Sequence, residues 1–387
     1  MRILDIRERT VAVPSPARNA AVGFDEMTAS AVAIVTDARR DGRPVIGYGF
    51  SSIGRYGHGG LLRERFIPRL LAAEPETLLD ETGNLDPFRA WDALMRNEKP
   101  GGHGERSGAV GVLDTALWDI AAKILDVPLW RLLADRFNDG VADARVAVYA
   151  SGGHYHEAGS LDALGDEIKS YLDLGYQRVK IKVAGAPVAH DLARIERALS
   201  VVGDGANLAV DANGALGEAA VFDFLDALVP YGLAWVEEPV DPLDFALLGE
   251  VCARHDGAVA TGENLFSLAE ARNLVRHGGL RPDRDLLQFD IALSYGLVEY
   301  LRILEMLGSD GWSPRRCLPH AGHLVALHAA AGLGLGGHEA APDASLTWGG
   351  VYDDATIKDG YVEPLALPGV GFEGRASLHA IVAELAA

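Results

Sequence analysis

Apolar and polar positions follow two different rhythms along this chain, and the change between them divides it. Residues 3–13, 29–36 and 45–50 carry the short-period or continuous apolar pattern of strands. Helical spacing follows over 61–73 and again over 110–125, where Val112, Leu113, Ala116, Leu117, Ile120 and Ile124 share one face. Between these two helices, NEKPGGHGERSG at 97–108 reads as a loop or a helix entrance. The pattern predicts an α+β domain over residues 1–130.

From residue 144 the texture becomes regular. Apolar runs at 145–150, 178–183, 208–211, 234–237, 259–263, 286–290 and 317–320 alternate with helical segments such as 161–174 and 219–228. A weaker eighth run lies at 332–336. Such repetition over 144–350 predicts an α/β barrel, with an open doubly wound sheet as the alternative. The tail, 355–387, lacks the alternation and is expected to pack back on the N-terminal part. No G-x-G-x-x-G follows a first strand and no P-loop pattern occurs, so nucleotide-binding folds lack support.

Three of the runs end in an acid: Asp211 in AVDANG, Glu237 in WVEEP and Glu263 in ATGEN, 26 residues apart at each step. That interval matches one strand-plus-helix unit, so the acids fall at the carboxyl ends of neighbouring parallel strands. Three hard oxygen ligands converging there suit Mg²⁺. The plain alternative is that each acid caps the following helix.

In VKIKV, Lys180 and Lys182 are two apart and point inward together, while Val179 and Ile181 face the helices. Mutual repulsion and burial would lower a lysine pKa towards that of a general base. As ordinary surface residues, both would instead reach solvent. Asp290 ends LLQFD and His320 ends CLPH, an arrangement in which a carboxylate orients an imidazole. His323 and His328 are expected to face packing or solvent. Glu238 should point away from Glu237. Glu339, near the last strand, and Asn213 are further candidates. His154 and His156 form a His-x-His pair, as in zinc-dependent barrel hydrolases. That chemistry wants imidazoles again on strands five and six, where this chain offers Glu263 and Asp290.

Composition narrows the partners. A net charge of −20 argues against nucleic acid and anionic membranes. The two cysteines, Cys252 and Cys317, exclude a disulfide framework and fit a reducing, cytoplasmic setting. No apolar stretch reaches membrane-spanning length, and the N-terminus does not read as a signal peptide.

Lysines on one side, a His–Asp pair on the other and a divalent cation between them suit removal of a proton α to a carboxylate. Reprotonation of the intermediate would then racemise, and loss of a β-hydroxyl would dehydrate. Over nearly its whole length, on Lys-x-Lys at 180–182, the three acids, Asp290 and His320, the chain resembles the mandelate racemase subgroup of the enolase superfamily. The resemblance implies a (β/α)7β modified TIM barrel under an α+β capping domain that the C-terminal tail completes. It also implies Mg²⁺, with Mn²⁺ as a substitute, and a homo-oligomer from dimer to octamer. Cap and loop stretches are similar to the tartrate dehydratase branch of that subgroup: RNA at 18–20, EMT at 26–28, YGFSSIGRYGHGGLLRERF at 48–66, NEKPGGHGERS at 97–107, TGENLF at 261–266 and RPDRDLLQFDIALSYGL at 281–297. The proline of EEP at 237–239 departs from that branch without touching a ligand.

The closer resemblance implies a hydro-lyase acting on a small hydroxy-dicarboxylate, D-tartrate to oxaloacetate and water. A dehydratase or epimerase of a longer aldonate or aldarate stands as the alternative. In the implied scheme Lys182 removes the C2 proton and His320, oriented by Asp290, protonates the departing 3-hydroxyl. Lys180 polarises the carboxylate, and Asn19, Lys99, Asn213 and Glu339 contact substrate. A non-catalytic binding protein on the same scaffold would be expected to lack Lys182 or His320.

Overall fold

The structure, a computed structural model, describes residues 1–52, 54–156, 159–342 and 349–386. Ile53 of the 48–66 stretch, residues 343–348 of the expected barrel segment and Ala387 of the tail lie outside the described residues.

Three antiparallel strands open the chain: β1 (Ile3–Ala12), β2 (Thr28–Arg40) and β3 (Arg43–Phe50), in that order across the sheet. The helix Glu105–Ile124 covers this sheet. It is buried through most of its length, which explains why apolar residues surround it rather than forming one stripe. The helix Pro87–Met95, which the sequence pattern did not reveal, begins with Pro at its first position and an Asp86 cap on the Phe88 N–H.

The barrel strands are β4 (Val146–Gly152), β5 (Val179–Lys182), β6 (Leu208–Asp211), β7 (Val236–Glu237), β8 (Val259–Thr261), β9 (Leu286–Leu287) and β10 (His338–Ala340). They pair in parallel from β4 to β9, and β10 pairs with β4. The residues around Cys317 close the ring without forming a full strand. Leu318 N–H donates to Leu287 O at 2.8 Å, and Gly336 N–H donates to Cys317 O at 2.9 Å. The fold is therefore an α/β barrel with an N-terminal sheet domain, as the alternation predicted.

One strand lies elsewhere than expected. The run at 332–336 is not a strand, because the helix Leu324–Leu333 runs into it and ends at Gly334 in the left-handed conformation. The eighth strand is β10, beginning at His338.

The tail packs against both the barrel and the cap. The short strand β11 (Tyr361–Val362) pairs antiparallel with β4, and the helix Ala376–Ala383 lies against β2 and β3. Asp119 on the cap helix accepts from Val370 N–H at 2.7 Å, tying the tail to the cap.

Candidate active site

Backbone register delivers the chemistry. Lys182 on β5 is paired with Asp211 on β6, and Asp211 with Glu237 on β7. Glu263 follows β8 after Gly262, whose φ of +123° only glycine adopts readily. That turn brings Glu263 to the other two acids: the carboxylate oxygens of Asp211, Glu237 and Glu263 lie within 4.8 Å of one another. All three side chains are buried. Three carboxylates packed out of water repel strongly unless cations compensate.

Two ammonium groups supply part of that compensation. Lys182 Nζ donates to Asp211 Oδ2 at 2.5 Å. Lys180, fully buried, pairs with Glu237 and with Glu339 Oε1 at 3.0 Å, and lies 3.6 Å from Asp211. Burial by itself would lower both lysine pKa values, but Glu237, Glu339 and Asp211 outweigh it and hold Lys180 well above its ordinary value. Lys182 is also raised, because Asp211 outweighs burial and the Lys180 charge. The expectation that mutual repulsion lowers these lysines is therefore overturned: carboxylates on the neighbouring strands dominate. Although burial opposes it, Asp211 is held down at about 2 by the two lysines. Glu237 is pushed up to about 8 by burial and its acidic neighbours, against Lys180.

The donor set fits a hard divalent cation. Its atoms are carboxylate oxygens, and Glu263 Oε2 is buried with no hydrogen-bond partner. Supporting bonds orient the ligands: Asn213 N–H donates to Asp211 Oδ1 at 2.9 Å, while Trp235 Nε1 and Gln288 Nε2 donate to Glu237 Oε2 at 3.0 and 2.7 Å.

Two strands beyond Glu263 in the ring stands a histidine. His320 Nδ1 lies 2.9 Å from Asp290 Oδ2, and its Nε2 lies 3.5 Å from Glu263 Oε2. Burial disfavours the imidazolium, yet Glu263, Asp290 and Glu339 overcome it and push the ring up to about 10. These carboxylates thus favour the charged form of the ring. Glu339 accepts from Ala321 N–H at 3.1 Å besides holding Lys180.

A cavity of about 180 Å³ opens above these groups. Lys182, Asn213, Glu263, His320 and Glu339 line it from the barrel, and Asn19, Phe24 and Arg55 from the cap. Asn19 stands in the wall, its Oδ1 accepting from Ala21 and Val22 N–H in its own turn. Lys99 does not: it is exposed, outside the cavity lining, on a loop whose carbonyl Arg106 ties down. Two other expectations change. Glu238 is buried near the acids, because a φ of 38° bends the strand end and Asn264 Nδ2 donates to both its carboxylate oxygens. His323 reaches within 3.4 Å of Asp290 Oδ1. His154 lines the cavity as a neutral ring, lowered to about 3 by burial and the Lys182 charge. Among the described residues, the only metal-ligating cluster is the three acids, so the zinc-hydrolase arrangement is absent.

Fold and site together define an α/β barrel carrying a three-carboxylate site at the strands' carboxyl ends. The chain belongs to the enolase C-terminal domain-like family, whose model matches residues 163–377. It is 26% identical over 258 residues to arabinonate dehydratase of Saccharolobus solfataricus, covering 66% of this chain and 64% of that enzyme, just under two thirds of its length. It is 27% identical over 313 residues to L-talarate/galactarate dehydratase of Salmonella typhimurium, covering 80% of this chain and 72% of that enzyme. Among solved structures, L-talarate dehydratase from Polaromonas sp. JS666, complexed with Mg and L-glucarate, superposes with a TM-score of 0.75 at 25% identity, covering 96% of this chain and 94% of that one. A mandelate racemase/muconate lactonizing enzyme of the same organism superposes at 0.76, also at 25% identity, covering 96% and 93%. Among the described residues, no helix is long and apolar enough to cross a membrane.

Proposed function

We propose that this protein is a Mg²⁺-dependent acid-sugar dehydratase, and that D-tartrate is its substrate. The observation that carries the reading is the placing of Lys182 and His320. Both line one cavity, and the strands bearing Asp211, Glu237 and Glu263 lie between theirs along the barrel. Two proton-transfer groups acting on adjacent carbons are what α,β-elimination of water requires.

Lys182, as the free amine, takes the proton from C2. His320, as the imidazolium, gives its Nε2 proton to the 3-hydroxyl as the C3–O bond breaks and water leaves. The resulting enol ketonises to oxaloacetate. Lys180 sits below, its charge spread over Glu237 and Glu339, and polarises the C1 carboxylate from within the barrel. Asp290 keeps His320 in the tautomer whose Nε2 faces the cavity. Asp211, Glu237 and Glu263 would hold a divalent cation, which would supply positive charge beside the substrate carboxylate and offset the carboxylate field now holding Lys182 protonated. Asn19 and Asn213 supply hydrogen bonds to the remaining oxygens of the substrate.

A second reading keeps the mechanism and lengthens the substrate. The similar enzymes are dehydratases of arabinonate and of talarate and galactarate, which are longer acids than tartrate. Support for D-tartrate comes from the cap and loop stretches alone. The test is a panel of D-, L- and meso-tartrate, aldarates and aldonates with Mg²⁺, assayed for α-keto acid. Turnover confined to D-tartrate and abolished by EDTA is the expected result. Turnover of a longer acid instead would discard tartrate and retain the elimination.

A further inference from the structure

The Asp290 carboxylate is more fully occupied than a simple His–Asp pair requires. Its Oδ1 accepts from Leu293 N–H at 2.9 Å and lies 3.4 Å from His323 Nε2. Its Oδ2 receives His320 Nδ1 at 2.9 Å and the Ser52 hydroxyl at 2.5 Å. The two carboxylate oxygens have about four lone-pair directions between them, and all four are used. Ser52 stands apart from the other three partners, because it belongs to the cap, 238 residues away in the chain, and is itself buried.

Ser52 also stands on a rigid base. It follows β3, where Ser51 Oγ accepts from Ser30 N–H at 2.8 Å and Ser51 N–H donates to Ser30 O at 2.9 Å. A few residues on, Gly57 N–H donates to Thr28 Oγ1 at 2.9 Å and His58 N–H to Ser30 Oγ at 2.7 Å. β2 therefore anchors the chain on both sides of Ser52, through the Ser30 backbone before it and the Thr28 and Ser30 hydroxyls after it. A hydroxyl used only to glue cap to barrel would not need such support, and other contacts already do that work: Trp91 Nε1 donates to Tyr295 O at 3.0 Å, and Asp114 accepts from Leu297 N–H at 2.6 Å.

We infer that Ser52 is a positioning residue for the acid half of the reaction, fixing the plane of the Asp290 carboxylate so that His320 points into the cavity. The inference rests on the assignment of His320 as the general acid. Sharing Oδ2 with His320 leaves the carboxylate no freedom to rotate away from the ring. Without Ser52 that buried oxygen keeps a single partner, and the ring loses one of the constraints on its aim. The base, Lys182, is held by Asp211 on a different strand and does not depend on Ser52.

The test compares Ser52→Ala, Ser52→Thr and, as a second cap–barrel contact, Trp91→Phe. Exchange of the α-proton in deuterated water reads the base half, and keto-acid formation reads both halves. Ser52→Ala is expected to lower keto-acid formation about 10- to 100-fold with KM held, a loss typical of removing a partner that orients a catalytic group. Exchange should persist at the wild-type rate, and Ser52→Thr should restore most of the loss. Trp91→Phe should leave the ratio of exchange to elimination unchanged. Equal falls in both rates for Ser52→Ala, or the same change of ratio in Trp91→Phe, would overturn the inference. A crystal structure of Ser52→Ala supplies a readout independent of substrate: a displaced His320 ring is expected, and an unmoved one overturns the inference. Should the wild type turn over no acid in the panel, the proposed function falls, and the crystal structure alone decides the role of Ser52.

Discussion

The inside of the barrel holds two regions made from the same strands, and they obey opposite rules. At the amino-terminal end Tyr149, Ala209, Trp235, Ala260 and Leu318 form a small apolar plug. Two residues further on, the inward positions become Lys182, Asp211 and Glu237, with Lys180 beside Tyr149. Each of β6 and its neighbour β7 thus contributes one apolar and one charged side chain to a single interior. The plug fills space and stabilises. The mouth gathers buried charge, which costs stability and is tolerated because the charges neutralise one another and, with a cation, do chemistry. Function and fold are separated here by a strand period of two residues.

The largest effects should come from the mouth. Lys182→Ala should lower both α-proton exchange and keto-acid formation by about 10²- to 10⁴-fold, the range for a lost general base, and without added cation the melting temperature should fall, because Asp211 loses its buried partner. Persistent exchange would transfer the base role to another group. His320→Asn should remove keto-acid formation and leave exchange by Lys182. In the plug the pattern should reverse. Trp235→Ala should destabilise the fold by about 3–5 kcal/mol, the usual cost of deleting a large buried ring, as measured by denaturant unfolding.

Much of this division can be read in the chain, because it is local. Lys-x-Lys, and acids at even spacing after short apolar runs, place themselves by strand period alone, and the structure does bring all five side chains together. The alternation of strands and helices predicts the barrel for the same reason. What escapes depends on contacts distant in sequence or on backbone sign. Ser52 reaches Asp290 from another domain, and nothing around residue 52 announces it. Glu238 turns inward only because its φ is positive. Lys99 has the loop motif of a substrate contact, but where a loop lies over a cavity is a tertiary matter. Even the lysine pKa values come out with the wrong sign from sequence, since neighbouring strands contribute more charge than the two lysines contribute repulsion.

Histidines sharpen the comparison at smaller cost. His320 in the mouth is pushed up, whereas His328 in the packed body is lowered to about 4 by burial. Trp130 N–H donates to His328 Nδ1 at 3.1 Å, which makes Nε2 the protonated nitrogen facing Val370 O at 3.0 Å. An unfolded histidine titrates near 6.5, so between that pH and about 4 the unfolded chain binds the proton and the folded one does not. Its contribution, on the order of 3 kcal/mol, is present above 6.5 and is lost as pH falls through 4. His328→Gln, which keeps one donor and one acceptor, should flatten that acid-side decline in urea midpoints. An unchanged slope would show that carboxylates alone carry it.

Trp235→Phe tests whether the two regions are independent at all, and its effect should be the smallest. The substitution keeps an aromatic ring in the plug and removes one donor, the indole N–H that reaches Glu237 Oε2 at 3.0 Å. Glu237 retains Gln288 Nε2 on the same oxygen and Lys180 on the other. The stability loss should therefore be about 1 kcal/mol, the net value of one hydrogen bond. If plug and mouth were separate, nothing else would change. Because the indole fixes the orientation of a metal-facing carboxylate, Mg²⁺ affinity measured by calorimetry should also fall, by about tenfold. A melting temperature that drops while Mg²⁺ binds as before would sever the link between plug and mouth. Loss of both together would show that the plug does more than fill space, holding Glu237 in the geometry that the cation needs.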